Sequence, residues 1–166
     1  MKKDLGIIFG LAIFVVLLLV LGKGFTSTSF ISSQNQQDVK KDETPVSVKG
    51  LSVTAKIAAS SEDRKKGLSK MDTLPFDRGM LFVFDKSDVY GIWMKDMRFA
   101  IDIVWIAEDK SIVDLAQNVP PEPGKKDSEL TVYKPKSPSR YILEINAGLA
   151  KINNLQVGDK VDFALQ

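Results

Sequence analysis

The chain has 166 residues, 44% of them hydrophobic and 27% charged, which suits one ordinary domain with extensions and is too short for two full cores. With 23 Lys and Arg against 21 Asp and Glu the formal charge is +2, and no basic run is long enough to track a phosphate backbone, so nucleic acid is not an expected partner. Cys and His are both absent, which excludes disulfides, thiolate nucleophiles, thiolate zinc sites, Cys-anchored lipids and imidazole-dependent triads. No cofactor and no metal site is expected, and chemistry is left to carboxylate, Lys, Arg, Tyr and hydroxyl groups.

Residues 1–4 read as a short cytoplasmic start. Leu5 to Leu21 is an apolar run broken only by Gly6 and Gly10, which as a helix would be about 26 Å long and nearly span a bilayer core. Lys2 and Lys3 precede it and Lys23 follows, so the positive-inside bias keeps the amino terminus in the cytoplasm and sends the rest across. Residues 5–22 are therefore expected to be a transmembrane anchor holding the chain to the membrane. A secretory signal is the rival, with Gly22 and Gly24 as small residues for cleavage, and would leave the domain secreted. Gly6 and Gly10 also make a small-xxx-small pair, which permits close helix approach or is simply tolerated in lipid. Residues 23–45 shift to Ser, Thr, Gln, Asn and Lys, too few apolar groups to offset the entropy of ordering. They read as a flexible linker holding the domain roughly 25 to 30 Å from the membrane.

Residues 46–166 read as an extracytoplasmic, mainly β domain, because short apolar runs recur between turn signals. Leu51, Val53, Ala55 and Ile57 alternate with Ser52, Thr54 and Lys56, as in a strand with one wet face. Ser60 or Ser61 can cap a short helix whose first turn holds Glu62 and Asp63 and which Gly67 can end. Met80 to Phe84 is apolar on both faces, so it belongs in the middle of the domain. Ile92 to Met94 and Ile101 to Ile106 are expected to form a strand pair around Asp96-Met97-Arg98-Phe99. Further strands are expected at Ile112 to Leu115, Tyr141 to Ile145 and Val161 to Leu165. Pro120, Pro121, Pro123, Pro135 and Pro138 mark a long surface loop over 116–140. Asn146 is placed as the cap of a last short helix, and Gly158-Asp159 as a turn into the final strand. About seven short strands and two short helices predict a two-layer β-sandwich or flattened barrel.

Three charged residues sit inside apolar strands, where an unpaired ion is costly: Asp102 between Ile101 and Ile103, Glu144 between Leu143 and Ile145, and Lys95 after Trp93-Met94. If residues 96–99 close a hairpin, Trp93, Lys95 and Asp102 share a face, with Lys95 and Asp102 diagonal neighbours about 7 to 8 Å apart at Cβ. Two readings follow. Either the pair neutralises itself with Trp93 as packing, or Trp93 walls a pocket with Lys95, Asp102 and Glu144 as polar contacts. Arg64 fits the solvated side of the short helix as well as a site, and Tyr133 and Arg140 flank the Pro-rich loop.

At these residues the chain resembles the domain of unknown function 192 family, a group of small, often exported prokaryotic proteins. The resemblance rests on Arg64-x-x-Gly67-Leu68, Gly79-Met80-Leu81-Phe82-Val83-Phe84, Gly91-x-Trp93-Met94-Lys95, Ile101-Asp102-Ile103, Tyr133, Leu143-Glu144-x-Asn146-Ala147-Gly148 and Gly158-Asp159. It departs from the pattern at Ser69, usually Met, at Asp96, usually Asn, and at Ala100, where Pro is common. The resemblance implies a jelly-roll-like sandwich and no established activity. It singles out Arg64, Lys95, Asp102 and Glu144 as motif polar positions.

The candidate ligand-binding residues are thus Arg64, Trp93, Lys95, Asp102, Tyr133 and Glu144; no catalytic residue is assigned. Three functions are open. The first is a non-enzymatic module binding a small polar ligand, an envelope glycan or an envelope protein. The second is a hydrolase using Asp102 and Glu144 on a glycan, which needs both carboxylates in one cleft about 5 to 9.5 Å apart. The third is a purely structural interaction domain. The oligomeric state is not legible.

Overall fold

A computed structural model of the protein describes residues 42–165. The expected anchor and most of the linker lie outside the described residues, and among the described ones no helix is long and apolar enough to cross a membrane.

Alternation sets the first hairpin. In β1 (Glu43–Val48) and β2 (Leu51–Ala58), Val46, Val48, Leu51, Val53 and Ala55 are buried while Ser47, Ser52 and Lys56 face solvent, the period of two of a strand. Pro45, expected in the linker, lies in β1, and Thr44 is buried with its Oγ1 donating to Ala164 O at 2.7 Å. A short helix α1 (Ser61–Lys66) then crosses to β3 (Arg78–Asp88), which pairs parallel with β2. After β3 come β4 (Ile92–Trp93), β5 (Ile101–Ile106), β6 (Ile112–Val119), β7 (Val132–Tyr133), β8 (Ser139–Asn146), helix α2 (Leu149–Ile152) and β9 (Asp162–Phe163).

Seven strands form one curled sheet in the order β6-β5-β8-β3-β2-β1-β9, and β4 and β7 form a separate ribbon. The domain is mainly β with two short helices, as expected, and its one sheet curls into a half-barrel, nearer the flattened barrel than the two-layer sandwich or jelly roll. One face of the curled sheet packs against α2 and the segment after it, the other against the loop after α1, the 94–97 coil and the ribbon. That explains why β3 and β5 are apolar on both faces: β3 is the central strand, and all six residues of β5 are buried. One face carries a core of Val46, Val53, Leu81, Val104, Leu143 and Ile145 under Ala150 and Leu155. The other carries Met80, Phe82, Ile101, Ile103, Trp105 and Ile142 under Leu68, Leu74, Met94 and Met97. Gly79 lets β3 and β8 approach closely, since a Cβ there would stand 2.8 Å from Glu144 O.

Two local expectations are corrected. The strand at Ile92 does not pair with β5. Both edges of β5 are taken by β6 and β8, and Ile92 and Trp93 instead pair with Tyr133 and Val132 of β7, inside the Pro-rich segment. Residues 94–97 coil rather than extend: Met97 N donates to Met94 O at 3.2 Å, both Met side chains enter the core, and Asp96 takes φ 55°. Asp and Asn tolerate that left-handed conformation best among residues with a Cβ, which suits the Asp or Asn of this position. Asn146 also does not cap α2. Gly148, at φ 89°, holds that place, and Asn146 Nδ2 donates to Leu74 O and Pro75 O at 2.8 and 3.0 Å.

Candidate functional site

The face bearing Met80, Phe82 and Ile101 is open at one end. There α1 with the loop after it and the stretch 91–97, joined where Lys70 N donates to Asp96 O at 3.0 Å, surround a cleft of about 720 Å³ whose floor includes Phe82, Phe84, Ile101 and Glu144.

Local rules build the first wall. Ser60 caps α1, its Oγ accepting from Asp63 N at 3.0 Å, and Gly67 at φ 50° ends it. Arg64 is not simply solvated. Its Nη1 donates to Ala59 O and, at 2.9 Å, to Val83 O, and the guanidinium lies 4.9 Å from the Phe84 ring centroid. Phe84 in turn stacks on Tyr90 at 3.6 Å between centroids. Arg64 therefore clips α1 to β3 while its flank lines the cleft. Ser69 Oγ donates to Lys66 O at 2.5 Å and steadies the turn after the helix.

The opposite wall is the ribbon and the coil after it. Trp93 is 42% exposed, beside its pairing partner Val132, 50% exposed. Lys95 does not meet Asp102. It forms an ion pair with Asp127, and that hydrogen bond holds the ammonium above its ordinary pKa; Nζ also lies 5.7 Å from the Trp93 ring centroid. Met94 closes the apolar base.

Glu144 is the anomaly. It is 5% exposed, stands between Met80 and Ile103 of the neighbouring strands, and lines the cleft. Among the described residues it has no side-chain hydrogen bond and no ion pair. Burial, with nothing to offset it, pushes its carboxyl up to about 8. At neutral pH the group is mostly a neutral acid, able both to donate and to accept.

Asp102 is on the other face of the sheet. It pairs across with Ile145, whereas Glu144 pairs with Ile103, and strand side chains alternate. Ile101 faces Val119 and Ile103 faces Ala116, so Asp102 stands opposite a bulge at Gln117 and Asn118. Its two oxygens accept from Asn118 N and Ala150 N, both at 2.8 Å. It ties the bulge to the first turn of α2 and is structural. The expected Lys95–Asp102 pair is therefore absent, and an acid/base pair of Asp102 and Glu144 is excluded, since the two carboxyls never share a cleft. Tyr133 is partly buried behind Ile92, supporting the ribbon rather than lining the cleft. Four of the six candidates, Arg64, Trp93, Lys95 and Glu144, thus converge on one opening. The sequence reading missed the aromatic floor of Phe82 and Phe84 and the rim lysines 65, 66 and 70; their nearness to Arg64 and to the β3 run was the available signal.

Known proteins match this picture. The family model described as DUF192, uncharacterized ACR, matches residues 44–163. A UPF0127 protein of Pyrococcus abyssi is 26% identical over 100 residues, covering 60% of this chain and 71% of its own. One of Pyrococcus furiosus is 29% identical over 77 residues, covering 46% of this chain and 56% of that relative. Among solved structures, a Sinorhizobium meliloti protein suggested to be a transcription regulator is similar at TM-score 0.66 and 26% identity, over 75% of this chain and 95% of that one. A Novosphingobium aromaticivorans protein of unknown function gives TM-score 0.62 at 26% identity, over 72% and 83%.

Proposed function

The chain belongs to the domain of unknown function 192 family, and within it we propose that this protein is a non-enzymatic binding module for a small, ring-bearing polar ligand, a saccharide of the cell envelope. The observation that carries this reading is the partnerless Glu144 on the floor of a cleft walled by an exposed Trp93. An indole at the mouth offers a flat apolar face to a pyranose ring, and a carboxyl able to donate and accept suits a sugar hydroxyl.

Binding is tested with the full chain in detergent, using soluble fragments of envelope polysaccharide and calorimetry. Trp93→Ala is expected to weaken binding about tenfold or more, the loss of one well-used aromatic contact. The melting temperature should hardly move, because Trp93 is half exposed. Unchanged affinity in this variant overturns the reading.

The same proposal holds the module outside the cytoplasm on its amino-terminal anchor. The apolar run 5–21 and the leading Lys2 and Lys3 support that placement. Protease added to intact spheroplasts should then remove the domain while sparing cytoplasmic proteins; full protection contradicts it.

A further inference from the structure

Resting on the reading of the cleft as a saccharide site, we propose that it selects an anionic sugar, one carrying a carboxylate or a phosphate, whose ring lies on Trp93 while the charged group meets the rim lysines. The lining holds five cationic side chains, Arg64, Lys65, Lys66, Lys70 and Lys95, against three acidic ones, Glu62, Asp96 and Glu144. Of the five, Arg64 is engaged by main-chain carbonyls and Lys95 by Asp127. Lys65, Lys66 and Lys70 form no ion pair among the described residues, nor do Glu62 and Asp96, so the unpaired groups of the lining are three cations against two acids, with Glu144 below them. All three belong to α1 and the turn after it, and all three line the opening.

The floor agrees with the rim. An ionised carboxylate at the base would repel an anion and invite an amine. Glu144 has no cation beside it to keep it ionised, and burial favours its neutral form. A neutral carboxyl can donate its proton into a hydrogen bond with an incoming anionic oxygen, a charge-assisted bond stronger than one to a hydroxyl. A cationic ligand would meet three unpaired lysines against two unpaired acids, Glu62 and Asp96, with no cation-binding carboxylate on the floor. A neutral sugar would leave the lysines without a role.

The test uses the full chain in detergent and calorimetry at low and at moderate salt, with trigalacturonic acid, maltotriose, glucose 6-phosphate and glucose as probes. Tighter binding of trigalacturonic acid than of maltotriose, by about tenfold and reduced by salt, supports the inference with carboxylate as the anion. Tighter binding of glucose 6-phosphate than of glucose supports it with phosphate. The combined change Lys65→Gln, Lys66→Gln, Lys70→Gln should bring the acidic probe down to the neutral one without lowering the melting temperature, since all three side chains are on the surface. Equal affinity for acidic and neutral sugars, both weakened by Trp93→Ala, overturns the charge selection and leaves the saccharide reading standing. Binding of none of the four probes overturns both.

Discussion

Replacing Glu144 with Gln is expected to stabilise the protein by about 3 to 5 kcal/mol above pH 8 and to change its stability little below pH 4. Burial lifts the folded-state pKa from the ordinary 4.5 to about 8, so between those values the folded chain keeps a proton that the unfolded chain releases. Stability is then highest below the unfolded pKa and falls as pH rises. The fall begins near the ordinary carboxyl value and is complete once pH has passed the folded one. Gln matches the neutral acid in size and hydrogen-bonding groups but carries no titration, so its curve lacks this decline. Urea denaturation of both proteins at about pH 4, 6 and 9 reads the difference directly. Parallel pH profiles would mean that the Glu144 carboxyl is solvated.

Asp102→Ala is expected to lower stability by about 3 to 5 kcal/mol at neutral pH, through loss of two charge-assisted bonds in a buried place. The Asn118 and Ala150 amides would lose their acceptor, and the bulge in β6 would no longer be joined to the start of α2. Asp102→Asn keeps one oxygen and should lose about half as much. Faster hydrogen exchange at those two amides would accompany the loss, while sugar binding by the folded fraction should be unchanged. A folded, stable Asp102→Ala protein with impaired binding would instead give the residue a role in the site.

These two acids show what the sequence made legible. Asp102 and Glu144 stand out because each is flanked by Ile or Leu on both sides, so their burial follows from strand composition alone. Which face each one takes depends on register, and alternation sends Glu144 and Asp102 to opposite faces only once β8 is aligned with β5. Local features were readable: the Ser60 cap, the Gly67 stop, the wet face of β2 and the central place of β3 depend on neighbouring residues and on period. Long-range pairings were not. Lys95 meets Asp127, 32 residues away, and β4 meets β7 from within a Pro-rich stretch, with no local signal for either contact. Of the two architectures expected, the sandwich failed and the barrel held as a half-barrel, for a related reason. Strands apolar on both faces call for cover on each side, and pattern does not say whether a second sheet or loops and helices supply it.

The central claim is that Glu144 is a neutral acid at neutral pH, unpaired and open to a ligand on the cleft floor. Carboxyl-carbon NMR of the glutamates through a pH titration, with the Glu144 signal assigned by its loss in Glu144→Gln, tests it directly. A midpoint near 8, the value to which burial raises this group, is the predicted result. A midpoint near the ordinary 4.5 would mean that the cleft solvates the ionised carboxylate as well as bulk water does or pairs it with a cation, contradicting both the neutral floor and the anion selection built on it.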